Sequence, residues 1–252
     1  MSNSQVRATA CFTFDNMGEA ADIGAGRLAA PLATGTEPSL AIGYPALFAL
    51  LERTGVRATF FVEGWNGLHH PSAVREIVDR GHELGMHGWA HEQWNALDHA
   101  TERALAARAT AALTEAAGVA PRGFRAPGGG RTAHTERILI DLGYCYDASL
   151  GDGARPTRLP SGLAQVPFVW PAVDGFYYLA RTPPADPHDV RDAWLAALRK
   201  TIERGGVFVT ICHAFVTGVD AARVAALAAV IDAARAAELD VRTVGEVAAL
   251  LP

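Results

Sequence analysis

Residues 7–16 read RATACFTFDN, a run of apolar and β-branched residues that ends in a carboxylate. Such a run predicts a strand buried in a parallel sheet. Asp15 follows it directly and so falls at the carboxyl end of the strand, the edge at which α/β enzymes bind ligands. Taken alone, an aspartate there fits a loop-capping residue as well as a functional one.

Similar β-rich runs alternate with helical patterns along the whole chain. The predicted strands are Arg7–Phe14, Arg57–Val62, Glu83–His87, Gly123–Ala126, Cys145–Asp147, Gln165–Val169, Val207–Cys212 and Asp240–Thr243. The predicted helices are Gly43–Thr54, Ser72–Arg80, His99–Ala117, Thr132–Leu142, Pro187–Arg204, Val219–Ala237 and Val244–Leu251. Because this alternation is typical of β-α units around a parallel sheet, we predict one α/β domain over residues 1–252, closed or nearly closed into a barrel.

Composition excludes several classes of function. The net charge is −5 and no basic cluster occurs, which argues against a nucleic-acid or anionic-membrane partner. Lys200 is the single lysine, so Schiff-base chemistry has almost no candidate residue. The start is polar, no apolar run could span a bilayer, and three cysteines are too few for a disulfide framework. The sequence therefore predicts a cytoplasmic protein, and leaves open whether it forms a homo-oligomer.

Two histidines follow the third predicted strand. His87 and His91 are four residues apart and share a face if their segment forms a helical turn, so both imidazoles would reach one cation. Paired histidines are common on protein surfaces. The position of this pair at the end of a predicted strand is what favours a metal site.

Two further strands end in residues suited to chemistry. Arg125 follows the fourth and fits either a surface turn or a fork-like partner for a carboxylate. His213 ends the seventh and fits either a core histidine or a general acid. Together with Asp15 and the two histidines above, these residues are expected to meet at one rim of the barrel.

These motifs, in this order, resemble those of the polysaccharide deacetylase family, also called carbohydrate esterase family 4 or NodB-homology hydrolases, and in particular an intracellular type. Thr13-Phe14-Asp15-Asn16 is similar to the family's first motif, TFDD. The later segments are similar to its H-x-x-x-H, R-x-P-x-G and leucine-x-histidine motifs, at 87–91, 125–129 and 211–213. The resemblance implies a distorted (β/α)7 TIM-like barrel and metal-assisted hydrolysis of an amide.

The resemblance also implies roles for individual residues. Asp15 would be the general base, His213 the acid that protonates the leaving amine, and Arg125 the residue that orients Asp15. Asp147 would tune His213, with Asp152 as its rival. The metal ligands would be His87, His91 and Asn16, and the ion a divalent one, zinc first, with cobalt or nickel as alternatives.

The chain departs from the family at the third metal ligand. Asn16 stands where the family has a second aspartate, and an amide brings no negative charge to the ion. Glu19 and Asp22 are alternative ligands in the following loop. Some relatives with altered first motifs hydrolyse cyclic amides or imides, and some of those do so without metal.

Aromatic residues near the motifs are candidates for contact with a planar substrate. Trp89 and Trp94 flank the metal motif and are the better candidates, whereas core packing is the default for Trp65. Pro127 and Gly128 are expected beside them at the substrate, and Trp170 is a further stacking residue.

Three functions follow. The first is metal-dependent removal of an acetyl or formyl group from the nitrogen of an amino sugar or small metabolite. The second is an allantoinase-like cyclic amide or imide hydrolase of the same fold. The third is a non-catalytic carbohydrate-binding domain, which has no need of a base, an orienting arginine and an acid together.

Overall fold

A computed structural model describes residues 8–28, 37–151, 153 and 155–252. The strands are β1 Thr9–Asp15, β2 Thr59–Val62, β3 Glu83–Met86, β4 Gly123–Phe124, β5 Tyr146–Asp147, β6 Thr157–Arg158, β7 Ala164–Gln165, β8 Val207–His213 and β9 Asp240–Val241. The α-helices are α1 Ala20–Gly24, α2 Tyr44–Thr54, α3 Gly64–His69, α4 Pro71–Asp79, α5 His99–Ala117, α6 Thr135–Asp141, α7 Asp174–Tyr178, α8 Pro187–Arg204, α9 Ala221–Ala236 and α10 Val244–Ala249. Short 3₁₀ turns cover Trp94–Ala96, Pro127–Gly129 and Trp170–Ala172, and π turns cover Ser39–Gly43 and Ala214–Gly218.

The strands form one curled sheet in the order β6-β7-β5-β4-β3-β2-β1-β8, with β9 also paired to β1. Every pairing is parallel except that of β6 with β7. The curl nearly closes between β7 and β8, where Val173 makes a single parallel bridge to Ile211. This architecture confirms the predicted distorted (β/α)7 barrel.

The alternation of side chains along β1 and β8 decides what lies inside the barrel. Phe12 and Phe14 point outward and pack under the helices. Cys11 belongs to the interior cluster, and so do Val209 and Ile211 of β8. Since successive residues of a strand face opposite sides, the last residues of both strands also face the interior.

Helix ends follow the local sequence. The Asp98 and Asp186 side chains accept N–H bonds in the first turns of α5 and α8. Gly118 ends α5 in a left-handed conformation, φ 71°, which glycine adopts without steric cost. None of the described helices is both long enough and apolar enough to cross a membrane.

The sequence-based elements are confirmed at most positions, and the differences are local. Strand β6 and the helices α1, α3 and α7 were not predicted, because segments of two to six residues carry no periodic signal. The strand expected at Gln165–Val169 pairs only at Ala164–Gln165. The long loop that follows β1 is described only in part, since residues 29–36 lie outside the described ranges.

Helix α3 packs against α5 at Gly64, and this contact leaves no room for a side chain. A β-carbon on Gly64 would lie 2.3 Å from the Ala109 Cα and 2.5 Å from its Cβ. Gly64→Ala is therefore expected to lower the free energy of unfolding by about 1–3 kcal/mol through overpacking. Urea denaturation measures this loss. Gly153→Ala is the matched control, since a β-carbon there meets nothing within 4 Å, and equal stability of the two variants would contradict the packing.

Candidate active site

Asp15 and His213 lie side by side at the carboxyl end of the sheet. They are the last residues of β1 and β8 and are partners in the register of these neighbouring strands. Both line a cavity of about 460 Å³, together with His87, His91 and Arg125. The five residues expected at one rim are therefore brought together as the sequence predicted.

The guanidinium of Arg125 fixes Asp15 from inside the barrel. Its Nη1 donates to the Asp15 carboxylate at 2.7 Å and to the Thr13 hydroxyl at 2.7 Å, while its Nε donates to the Ala148 carbonyl at 3.0 Å. The Arg125 carbon also lies 4.2 Å from the Phe61 ring centroid. Burial alone would raise the pKa of Asp15, but the charge and hydrogen bond of Arg125, together with His87 and His213, outweigh it, and the pKa lies below its ordinary value. Asp15 is therefore ionised at neutral pH.

His213 is held by an aspartate that the sequence analysis missed. Asp174 is fully buried at the start of α7. One of its oxygens lies 2.5 Å from His213 Nδ1, and the other accepts the His213 backbone N–H at 2.7 Å and the Thr217 hydroxyl at 2.7 Å. Burial favours the neutral imidazole, but Asp174 outweighs it, and the pKa of His213 is raised.

The expectation that Asp147 tunes His213 is wrong. The Asp147 carboxylate accepts from Arg131 Nη1 at 2.6 Å and from the Ser149 N–H at 3.0 Å. The Ser149 hydroxyl, in turn, accepts the N–H of Ala126 at 2.8 Å. Asp147 therefore links the ends of β4 and β5 and supports the backbone beside Arg125. Its proposed rival, Asp152, lies outside the described residues.

His87 and His91 face each other across a tight turn and not along a helical turn. Their ring centroids are 5.1 Å apart. Gly88 and His91 have positive φ, 75° and 60°, and the Glu92 carboxylate accepts the N–H groups of Trp89 and Ala90 at 3.0 and 2.8 Å. The shared face that the H-x-x-x-H spacing predicted is thus produced by different backbone geometry.

The protonation of this pair suits metal binding. Burial lowers the pKa of His87 to about 3 and also lowers that of His91, so both rings are neutral at pH 7. His87 Nδ1 lies 2.8 Å from the Arg125 carbonyl, which places its proton there and leaves Nε2 for a ligand. Two neutral imidazoles are nitrogen ligands of the kind that zinc, cobalt and nickel favour.

Asn16 is buried beside Asp15 and is held by a carboxylate. Its amide nitrogen donates to Glu63 Oε1 at 2.6 Å, and Glu63 Oε2 accepts from the Met17 N–H and the Asn66 amide at 3.1 and 3.0 Å. Burial raises the pKa of Glu63 to about 8. The amide group of Asn16 can donate to this buried acid in either protonation state of Glu63, which the carboxylate of an aspartate cannot.

Asn16 is not among the residues that line the cavity, so its role as the third metal ligand stays a prediction. Among the described residues, no group of three His, Cys, Asp or Glu side chains is arranged to hold an ion. The two acidic alternatives have other partners: Glu19 contacts His70 at 2.7 Å, and Asp22 contacts Arg27 at 2.7 Å. The donor set therefore fits a divalent ion at two imidazoles and adds no charged ligand from these loops.

The tryptophans expected to bind substrate lie elsewhere. Trp94 is fully buried, packs on Phe124 and donates to Glu102 at 2.8 Å. Trp89 is also buried, with the Arg108 guanidinium carbon 3.6 Å from its ring centroid. Neither is among the residues that line the cavity. Both tryptophans pack in the hydrophobic core and do not face the cavity, so their assignment to substrate is wrong.

Other aromatic residues take their place. Trp170 lines the cavity, as do Phe168 and Phe176, and Trp65 is buried in the core as expected. Gly128 lines the cavity, whereas Pro127 is buried and is not among the lining residues. Trp170 is the one residue of this wall that the sequence analysis named. No motif marks the rest of residues 168–180, and Asp174 follows no predicted strand.

We expect Asp174→Asn to lower the pKa of His213 by about one unit or more, because a neutral amide replaces the charge beside the imidazole. NMR titration of the His213 ring proton measures this in the free protein. Asp147→Asn is the matched control and is expected to leave the titration unchanged. A shift with Asp147→Asn and none with Asp174→Asn would reverse the assignment.

We expect Asn16→Asp to lower the free energy of unfolding by about 1–3 kcal/mol at pH 9, because it removes a buried donor and sets a second carboxylate against Glu63, which is ionised above its pKa of about 8. Urea denaturation at pH 9 measures the loss. Glu63→Gln in the same chain restores a donor and is expected to recover most of the stability. Strictly additive effects of the two substitutions would show that the two side chains do not interact.

Comparison with known proteins places the sequence in a family. The sequence profile described as polysaccharide deacetylase matches residues 9–146, more than half of the chain. A peptidoglycan deacetylase of Helicobacter pylori is 31% identical over 109 residues, which are 43% of this chain and 37% of that protein. The match thus spans well under half of this curated relative.

Solved structures extend the likeness to the whole fold. A candidate polysaccharide deacetylase from Mycobacterium smegmatis has a TM-score of 0.87 and 30% identity, covering 99% of this chain and 91% of its own. Puue allantoinase has a TM-score of 0.83 at 19% identity, covering 98% of this chain and 91% of its own, which shows a shared fold alone. From the profile match and the Mycobacterium smegmatis structure, the chain belongs to the polysaccharide deacetylase family.

Proposed function

We propose that this protein hydrolyses a carbon–nitrogen amide bond, removing an acetyl or other small acyl group from the nitrogen of an amino sugar or small metabolite. One observation carries the proposal. Asp15 and His213 are neighbours at one rim, and their surroundings displace their pKa values in opposite directions. An ionised base and a protonated acid therefore coexist at the same pH, which is the condition for acid–base hydrolysis.

The residues divide the work as follows. Asp15 accepts a proton from the attacking water, and Arg125 keeps the carboxylate ionised and fixed in direction. His213 donates the proton of Nε2 to the leaving nitrogen, because an amide anion leaves poorly. Asp174 holds the Nδ1 proton and so orients that nitrogen away from the cavity.

A divalent metal bound by His87 and His91, zinc in the first place, belongs to the same proposal. Such an ion lowers the pKa of water and polarises a carbonyl. The neutral state and the mutual distance of the two imidazoles support it, and Asn16 supplies a weak third ligand. Cobalt or nickel is the alternative, since both accept imidazole.

A second candidate, hydrolysis of a cyclic amide or imide, is favoured by one feature. Asn16 gives the site no charged third ligand, and its amide nitrogen is already committed to Glu63. A site of this kind binds metal weakly, so full activity after exhaustive chelation, with a cyclic substrate, would support this candidate against the first.

We also propose that the partner is a small molecule or sugar and that the protein acts in the cytoplasm. The net charge of −5 supports a partner other than nucleic acid or an anionic membrane. Cell fractionation tests the location.

Asp15→Asn and His213→Gln are expected to lower kcat/KM by about 100-fold or more on any amide substrate found, because each removes one proton-transfer group. His134→Gln, an exposed histidine before α6, is the control and is expected to leave kcat/KM unchanged. Metal analysis of the purified protein accompanies the assay, and His87→Gln is expected to lose both metal and activity. Wild-type rates in Asp15→Asn would overturn the proposal.

A further inference from the structure

The cavity above the catalytic residues is apolar on nearly all of its remaining surface. Sixteen residues line it, and Asp15, His87, His91, Arg125 and His213 account for its polar side chains. The other eleven are glycine, alanine and six larger apolar residues: Phe168, Trp170, Val173, Phe176, Leu179 and Ile211. Apart from the indole N–H of Trp170, no further side chain among the described lining residues can bond a sugar hydroxyl.

The apolar wall is built largely by one segment, residues 168–180, between β7 and α8. Three of its side chains are substantially exposed: Trp170 at 52%, Phe176 at 41% and Leu179 at 58%. Large apolar side chains left exposed beside catalytic groups are typical of a ligand-binding wall. At about 460 Å³ the cavity is of a size for a small molecule.

The wall stands on the His213 side of the site. Asp174 lies within the segment and bonds both the ring and the backbone of His213, and Val173 pairs with Ile211 two residues before it. A β-carbon on Gly175 would lie 3.7 Å from His213 Cε1. Under the proposed function His213 protonates the leaving nitrogen, so whatever is attached to that nitrogen lies against this wall.

We propose that the substrate is an amide whose amine portion is an uncharged, apolar ring, and not a hydroxyl-rich sugar. This inference rests on the proposed function, and it specifies the substrate class of the same site. An apolar ring gains from burial against Trp170, Phe176 and Leu179. A hydroxyl in the same place gives up water and finds no side-chain partner apart from the Trp170 indole N–H, which costs binding free energy.

Matched acetamides test the proposal with the purified protein. N-cyclohexylacetamide and N-acetylglucosamine are acetamides of six-membered rings that differ mainly in their hydroxyl groups, and N,N′-diacetylchitobiose represents the polymer. We expect kcat/KM for N-cyclohexylacetamide to exceed both others by about 10-fold or more. Faster hydrolysis of either sugar would overturn the substrate class while leaving amide hydrolysis intact.

Variants of the wall give a second readout. Leu179→Asn is expected to lower the ratio of kcat/KM for N-cyclohexylacetamide to that for N-acetylglucosamine by about 5-fold, because it puts an amide where the ring packs. Leu250→Asn changes an equally exposed leucine that does not line the cavity, and is expected to leave the ratio unchanged. If the wall were instead a contact surface for another protein, Leu179→Asn would not change the ratio.

Calorimetric binding separates this inference from the proposed function. If none of these acetamides is hydrolysed, the proposed deacetylation is wrong, and the wall is still tested by titration with acetanilide. Binding to the wild-type protein that weakens about 5-fold or more in Leu179→Asn would support an apolar ligand. Absent binding, or equal binding by both proteins, would overturn it.

Discussion

The buried guanidinium of Arg125 is the interaction on which the rest of the site depends. It bonds Asp15 and Thr13 on β1 and the Ala148 carbonyl after β5, and its own carbonyl sets the tautomer of His87. A charge so deeply buried is tolerated beside a paired carboxylate, here that of Asp15. Asp15, His87 and two strand ends are thereby fixed by one residue, which explains why side chains distant in sequence keep one geometry.

The parallel sheet supplies what Arg125 alone does not. In a parallel sheet all carboxyl ends meet at one edge. Asp15 and His213 therefore become register partners of neighbouring strands, although 198 positions separate them in the sequence. At this edge, the surroundings shift the pKa values of the two histidines His87 and His213 differently. Burial lowers the pKa of His87, while a second buried carboxylate, Asp174, raises that of His213. The pKa values of two histidines in one cavity are therefore displaced in opposite directions.

Much of this could be predicted from sequence because the informative residues end periodic elements. β1 and β8 are long apolar runs that are easily recognised in the sequence. Asp15 and His213 are the last residues of these strands, so their position at the rim could be predicted. Apart from Trp170, the apolar wall could not be predicted, and neither could Asp174 and Glu63, because their partners are set by tertiary packing and no pattern in the sequence pairs residue 174 with 213 or 63 with 16. Trp89 and Trp94 were misassigned for the same reason: proximity to a motif does not reveal which face of a turn is buried.

The segment 168–180 serves two purposes in the structure. Its central residues, Val173 and Asp174, hold His213 and the neighbouring strand, while its flanks present Trp170, Phe176 and Leu179 to the cavity. Substitutions in the flanks that leave the central residues in place are therefore expected to change the shape and polarity of the cavity wall without moving His213.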